Sequence, residues 1–174
     1  GSSCALAVAA IAEQSDFEGF LVVVSEEKKL KSMQADIDVF SSDSTEVFPS
    51  LDATSGRSAL VDDAYGDRLR VLKKLARGEF SRFIVTSIQA LQQPVPTANE
   101  IADQTRVIRS GKTLNVDELA QWLVKHQYHH TTAVELPGEF SIRGGIVDIF
   151  ATDWIDPVRI EVFGDEVESM RRFD

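Results

Sequence analysis

The sequence predicts an α/β protein in which a parallel α/β layer is followed by a small α+β domain with a mostly antiparallel sheet. In the first half, short continuous apolar runs at Phe20–Val24 and Phe83–Ser87 are typical of parallel strands that are buried on both faces. In the second half, Val158–Phe163 alternates apolar and polar side chains, which indicates a strand with one buried face. Gly164-Asp165 then predicts a tight turn into a final strand, so this end of the chain is expected to form a hairpin.

Helices are expected between the apolar strands of the first half. An alanine-rich helix is predicted over residues 5–13, and a second helix is predicted to begin after Ser25, a good N-cap residue, and to end at about Phe40. A short strand is predicted at residues 46–48. The alternation of helix and short strand favours a parallel layer.

A long amphipathic helix is predicted to begin at Arg57 or Ser58. Its apolar stripe is expected to consist of Leu69, Leu72, Leu75 and Ala76. Gly78 is predicted to end this helix, because glycine adopts the left-handed conformation of a C-terminal cap without strain.

The segment Pro94-Val95-Pro96 predicts the boundary between two domains. Its two prolines cannot donate backbone hydrogen bonds, so an extended linker is expected there. The predicted domains are therefore residues 1–91 and residues 92–174.

The second half is predicted to contain one helix and several strands. Residues 106–109 are expected to form a strand, and Asn115 with Glu118 predicts a capping-box start for a helix over residues 116–126. Further strands are expected over residues 126–134 and 139–150. This order of elements predicts the mostly antiparallel sheet.

Composition restricts the kind of partner. The 174 residues include 18 basic and 28 acidic side chains, for a formal net charge of −10, which disfavours direct binding to nucleic acid. The single Cys4 excludes an internal disulfide and fits a reducing compartment. Since no apolar run is long enough to cross a membrane, we expect a cytoplasmic protein without membrane contact.

Two motifs resemble ligand-binding sites, but the residues around them argue against such sites. Residues 110–113, Ser-Gly-Lys-Thr, imitate the end of a phosphate-binding loop, but Arg106 stands where the first glycine would be needed. His126, His129 and His130 imitate a metal site, but no cysteine lies near them and adjacent residues of a strand point to opposite faces. We therefore expect neither a metal ion nor another cofactor.

Arg143 is the most informative single residue. It lies within the apolar run of residues 139–150, where an arginine is either paired internally with a carboxylate or held outward as an interface anchor. Asp148 and Glu161 are the plausible internal partners. The residues alone leave both interpretations open.

Three motifs in order carry a family resemblance. They are R-L-x-V-L-x-x-L-A-x-G at residues 68–78, I-V-T-S-I-x-A-L at residues 84–91, and the block at residues 136–174 that contains G-E-F-x-x-R-G-G-I-x-D-I-F. Together they resemble the UvrB-like module at the N-terminus of the bacterial transcription-repair coupling factor, Mfd, and less closely UvrB itself.

The resemblance implies that the first domain is a degenerate P-loop-NTPase-like domain. The stretch that matches the phosphate loop begins with Gly1, Ser2 and Ser3 and lacks the Gly-Lys pair that would offset phosphate charge. We expect this loop to be non-functional and the chain to be non-catalytic. The parent protein is expected, by the same resemblance, to be an ATP-dependent DNA translocase.

The resemblance also implies that the second domain is the docking surface for UvrA. Arg143 matches a family arginine that takes part, and strict alternation predicts Val147 on the same face. A second family arginine is replaced by His129 and His130, which would carry a positive charge only at lower pH. Phe140 completes the predicted partner-binding set.

The implied function is recruitment of UvrA to stalled transcription complexes for nucleotide excision repair. Contacts with RNA polymerase and DNA would belong to other domains of the parent protein. Two alternatives stay open: an autoinhibitory or structural domain that docks onto the remainder of its own polypeptide, and a vestigial nucleotide-binding domain.

Overall fold

A computed structural model describes residues 2–51 and 63–173 of the chain. These residues divide into two compact units, the first containing residues 2–51 and 63–98 and the second containing residues 99–173. The division therefore follows Ala98, whereas the sequence predicted it between residues 91 and 92. Each unit has its own sheet, and the predicted α/β class is confirmed.

The first unit contains a three-stranded parallel sheet with β3 in the centre. Its elements are α1 (Ser2–Glu13), β1 (Phe20–Val24), α2 (Leu30–Phe40), β2 (Thr45–Phe48), α3 (Asp63–Ala76), β3 (Phe83–Ser87) and α4 (Ile88–Leu91). Phe83 of β3 pairs with Phe20 on one side and with Thr45 on the other, and both pairings are parallel. The parallel arrangement predicted from the apolar runs is confirmed.

The two faces of this sheet have separate cores. On one face, α1 and α2 bury a cluster with β1 and β3 that consists of Ala5, Ala12, Val24, Leu30, Ile37, Phe83 and Val85. On the other face, Phe48 packs with Val71 of α3 and Ala90 of α4. Burial on both faces explains the apolar run of the central strand β3.

β1 forms one edge of the sheet and is only partly covered. Leu21 and Val23 point to the α3 side, and they are 57% and 45% exposed. Phe20 and Val22, on the opposite side, pack against the α1–α2 cluster.

The start of the second helix differs from the prediction. A 3₁₀ turn at Glu27–Lys29 precedes α2, and Ser25 does not cap the helix. The Glu27 carboxylate instead accepts hydrogen bonds from the Ser50 backbone N–H at 2.7 Å and the Ser87 hydroxyl at 2.5 Å. Tertiary contacts of Glu27 thus prevail over the local capping preference of Ser25.

The buried face of α3 also differs from the predicted leucine stripe. Its buried residues are Gly66, Arg68 and Val71, whereas Leu75 and Ala76 are exposed. Arg68 is buried because its Nη1 donates to the Pro49 carbonyl at 2.8 Å and its guanidinium stacks 4.1 Å from the centre of the Phe48 ring. The predicted start of this helix at Arg57 or Ser58 lies outside the described residues.

The end of α3 agrees with the prediction. Gly78 has a φ of 72°, and its N–H donates to the Leu75 carbonyl at 3.0 Å. The Glu79 N–H donates to the Lys74 carbonyl at 2.9 Å, which completes a Schellman motif.

The second unit is built on a five-stranded sheet. Its elements are α5 (Ala98–Asp103, beginning at the unit boundary), α6 (Val116–Lys125), β4 (His129–His130), β5 (Glu139–Arg143), β6 (Ile146–Phe150), β7 (Val158–Phe163) and β8 (Glu166–Arg172). The strand order follows the chain, and every pairing is antiparallel except that of β4 with β5. The mostly antiparallel sheet and its terminal hairpin are confirmed.

Two strand predictions in this unit are wrong. Residues 105–109 have no regular secondary structure, and the strand predicted over residues 126–134 is only His129–His130. The chain pairs with β8 just after this segment: Gly111 donates to the Val167 carbonyl, and Val167 donates to the Lys112 carbonyl. Within the segment Ile108 packs against the core of the second unit, whereas Val107 is exposed.

Helix α6 covers one face of the sheet. Asn115 caps it, accepting a hydrogen bond from the Glu118 N–H at 3.0 Å, as its sequence predicted. The core beneath α6 consists of Leu114, Leu119, Leu123, Phe140, Val147, Ile149, Ile160 and Val167. The opposite face of the sheet carries the candidate site.

Candidate functional site

Strand register assigns the residues of the second sheet to two faces. Phe140, Val147 and Ile160 point to the α6 core. The opposite face, called the arginine face here, carries Arg143, Ile146, Asp148, Arg159, Glu161 and Arg171. Directly opposed residues of antiparallel strands share a face, so these side chains are neighbours.

Three charged side chains form the centre of the arginine face. Arg159 binds Asp148 with two hydrogen bonds, Nε to Oδ1 and Nη2 to Oδ2, each at 2.7 Å. Arg143 approaches the same carboxylate from the neighbouring strand, with Nη2 at 3.4 Å from Oδ2. One carboxylate is thus shared by two guanidinium groups, and the trio retains one positive charge.

Burial differs sharply within this trio. The Asp148 side chain is 4% exposed, whereas the Arg143 side chain is 61% exposed. Hydrogen bonds from Arg159, supported by Arg143, hold the pKa of Asp148 below its usual range, although burial acts in the opposite direction. Asp148 is therefore a fixed anion beneath the two arginines.

The geometry combines the two interpretations of Arg143 that the residues left open. Arg143 contacts Asp148, one of its two plausible internal partners, and is also mostly exposed. Glu161, the other, instead pairs with Arg171 at 2.9 Å and accepts from the Ser169 hydroxyl. An arginine held at its base by a buried carboxylate keeps N–H donors available to a partner.

Arg159 is a site residue that the sequence reasoning did not single out. Two observations in the sequence point to it: Asp148 lies inside an apolar strand, and Arg159 lies on an alternating strand one turn later. A buried carboxylate needs a cation close by. Register pairs Asp148 directly with Arg159, which no periodicity within one strand could have shown.

The expectation that Val147 shares a face with Arg143 is wrong. A two-residue turn, Gly144-Gly145, joins β5 to β6 and pairs Arg143 with Ile146. Alternation counted straight through this turn therefore assigns the wrong face. Ile146, which is 37% exposed, is the apolar neighbour on the arginine face, while Val147 is fully buried on the other.

Phe140 is also placed beneath α6. It is 2% exposed and belongs to the core, so in the folded unit it cannot present its ring to a partner across the arginine face. Its position in the predicted partner-binding set is corrected accordingly.

The two adjacent histidines lie on opposite faces. His129 pairs with Glu139 and so lies on the same side as Arg143, while His130 pairs with Phe140 and its ring centre is 5.0 Å from that of Phe140. Both are exposed. The expectation that His130 would lie beside Arg143 is wrong, and His129 takes that side instead.

The glycine pair fixes the position of Arg143. Gly144 has a φ of 59°, which favours glycine, and a Cβ at Gly145 would collide with the Val162 carbonyl oxygen. The Val162 N–H donates to the Gly145 carbonyl at 2.7 Å. This close approach ties the β5–β6 turn to β7.

The other predicted sites lie elsewhere. Ser2 and Ser3 form the first turn of α1, and the Ser2 hydroxyl lies 3.4 Å from Asp36 Oδ1; Gly1 is outside the described residues. Within residues 2–51 and 63–173, no cluster of three or more histidine, cysteine or acidic side chains is arranged to hold a metal ion. Over the same residues, none of the helices has the length and apolar character needed to span a membrane.

Comparison with known proteins shows what the second unit is similar to. Residues 107–174 match the family model described as the UvrB interaction domain. This part of the chain is therefore similar to a class of protein-interaction module, the UvrB interaction domain.

The particular resemblance is to the transcription-repair-coupling factors. Identity is 38% over 107 residues with that of Bacillus subtilis (strain 168), 36% over 108 residues with that of Staphylococcus aureus (strain NCTC 8325 / PS 47), and 39% over 112 residues with that of Myxococcus xanthus. These matches cover 62%, 62% and 64% of this chain. They span only 9% of each relative. The family resemblance predicted from the motifs is confirmed.

Proposed function

We propose that the second unit is the module by which a transcription-repair-coupling factor recruits UvrA for nucleotide excision repair. The match of residues 107–174 to the UvrB interaction domain supports a protein-binding role. The observation that carries the proposal is the exposed guanidinium of Arg143 above the buried Asp148. ATP-driven translocation and contacts with RNA polymerase and DNA are assigned, in this proposal, to other parts of the parent protein.

The arrangement of Arg143 suits a binding hot spot. Its contact with Asp148 restricts the side chain before a partner arrives, which reduces the entropy lost on binding. Since Arg159 already makes two bonds to Asp148, the fork of Arg143 remains available to a partner carboxylate or carbonyl.

The neighbours of Arg143 supply the rest of a docking surface. Ile146 offers apolar area directly beside it, and a half-exposed apolar neighbour helps to exclude water from a charged contact. His129 lies on the same side, at the edge of the sheet. The surface therefore combines a preoriented cation with apolar and polar groups.

The test is the affinity of the 174-residue chain for UvrA, measured by surface plasmon resonance. Arg143→Ala should weaken the complex by about 2 kcal/mol, which is roughly thirtyfold in Kd. Arg172→Ala is the matched control, because Arg172 lies on the opposite face of the sheet, has a 76% exposed side chain and also forms one ion pair at 3.4 Å, with Asp156. The control should bind UvrA as the wild type does.

Two outcomes would contradict the proposal. One is a folded Arg143→Ala variant that binds UvrA with unchanged affinity. The other is an equal loss for Arg143→Ala and Arg172→Ala, which would indicate a general charge effect rather than a site. Thermal unfolding of each variant, followed by tryptophan fluorescence, shows whether the second unit is intact, because both tryptophans, Trp122 and Trp154, belong to it.

A further inference from the structure

The second unit has a groove on the side of the sheet that faces α6. Helix α6 contributes one wall through Ala120, Val124 and Lys125. The floor and other wall come from His130, Phe140 and Ile142. The groove has a volume of about 690 Å³ and is lined mainly by apolar groups.

The groove follows a stretch of the β5 edge that pairs with no other strand of residues 2–51 and 63–173. β4 pairs with β5 only at Glu139 and Phe140, and the last bond between them runs from the Thr131 N–H to the Phe140 carbonyl at 2.9 Å. Because backbone groups alternate in direction along a strand, the N–H and carbonyl of Ile142 also point to this edge, past the end of β4. An extended chain can therefore continue the sheet where β4 stops.

The charge of the groove is opposite to that of the chain. Lys125 is the charged group among the described residues that line it, and none of them carries a carboxylate. Lys125 lies exposed in the last turn of α6. The chain as a whole has a formal net charge of −10, so this local positive charge favours an acidic ligand.

We infer that the groove binds an extended acidic peptide segment of a partner protein, which adds as a strand to the free edge of β5. Backbone hydrogen bonds to Ile142 hold the segment in register. The side chains of the segment that point toward α6 are apolar or acidic: the apolar ones pack on Ile142 and Val124, and a carboxylate on the same side reaches Lys125. Because the groove and Arg143 lie on opposite faces of the sheet, the intervening side chains of the segment, which point to the arginine face, take no part in this contact.

The experiment is an NMR titration of the ¹⁵N-labelled 174-residue chain with three short synthetic peptides. In the first, every second residue is valine, leucine or glutamate and the residues between them are threonine; the second replaces each glutamate by lysine, and the third replaces each valine or leucine by serine. Only the first should shift the amide resonances of Val124, Lys125 and Ile142. Equal responses to the first two peptides, shifts located elsewhere, or no binding would overturn the inference.

A charge reversal sharpens the test. Lys125→Glu should weaken binding of the acidic peptide by roughly tenfold and allow the lysine peptide to bind instead. Lys112→Glu, which changes an exposed lysine outside the groove by the same charge, should leave the preference unchanged. If both variants respond alike, the effect is one of net charge and the groove is not the site. Neither variant alters Arg143, so UvrA binding should be retained in both.

Discussion

At the scale of single residues, the side chain of Asp148 connects two arginines that come from different strands. It accepts two 2.7 Å bonds from Arg159 and is approached by Arg143 at 3.4 Å. An apolar residue at position 148 would leave both guanidinium groups without this anchor. The placement of the two guanidinium groups on the arginine face therefore depends on one buried carboxylate.

Asp148→Asn should destabilise the second unit by about 2 kcal/mol at neutral pH, because a neutral amide replaces a carboxylate that accepts charged hydrogen bonds. The pKa of Asp148 is lowered in the folded state, so the folded protein binds fewer protons and this contribution is fully present above an ordinary aspartate pKa of about 3.9. It is lost as the pH falls through the lowered pKa.

Urea unfolding followed by tryptophan fluorescence, repeated between about pH 2 and pH 7, measures this contribution. The difference in unfolding free energy between the wild type and Asp148→Asn should shrink toward zero at the acid end. A difference that stays constant across the range would show that Asp148 is not the titrating group that stabilises the unit.

At the scale of elements, the β5–β6 hairpin shows which features a pattern within the sequence can predict. The apolar and alternating runs predicted the strands of the terminal block, and the structure has them at Glu139–Arg143, Ile146–Phe150 and Val158–Phe163. The faces of the first two were not predictable by counting, since a tight turn of two glycines changes the phase of the alternation. Pairing across strands, rather than spacing within one, decides which residues meet at the site.

Gly145→Ala should lower the unfolding free energy of the second unit by about 1–3 kcal/mol, because the new Cβ would meet the Val162 carbonyl and separate β6 from β7. Gly144→Asn is the control in the same turn. Gly144 has open space around it, and asparagine tolerates the left-handed conformation, so this variant should lose less. Equal losses in thermal unfolding would indicate that backbone strain, not the contact with Val162, restricts the turn.

Helix α3 is an element in which the spacing of apolar residues predicted the wrong buried face. Leucines at helical spacing predicted a buried stripe, but the buried positions include Arg68, which reaches the Pro49 carbonyl and the Phe48 ring. From the residue type alone, an arginine is expected at the surface of a protein. The buried position of Arg68 depends on hydrogen-bond acceptors that other elements supply. Long-range partners of this kind are not visible in one stretch of sequence.

At the scale of the whole molecule, the α/β class and the parallel and mostly antiparallel character of the two sheets were predictable from the sequence. The division into units after Ala98 and the short helix Ala98–Asp103 were not, because the prolines at 94 and 96 marked only the start of the irregular segment. Whether the first unit can bind a nucleotide likewise depends on the residues of its strands and loops rather than on its fold.

The chain should not form a tight complex with ATP. In nucleotide-binding loops a lysine offsets the charge of the phosphates, and residues 2–5 are Ser-Ser-Cys-Ala, at the start of α1. Isothermal titration calorimetry with ATP and Mg²⁺ should show no specific heat of binding. A stoichiometric complex with micromolar affinity would contradict this and favour a vestigial nucleotide-binding role.

The partly covered edge strand β1 has a consequence for the behaviour of the protein in concentrated solution. The run Phe-Leu-Val-Val-Val contains no proline or charged residue, it is hydrogen-bonded to β3 on one side, and Leu21 and Val23 face outward. Such an edge can template the addition of a strand from a neighbouring molecule. We therefore expect concentrated solutions of the protein to lose monomer through this edge, and Leu21→Lys, which places a charge beside it, should slow that loss.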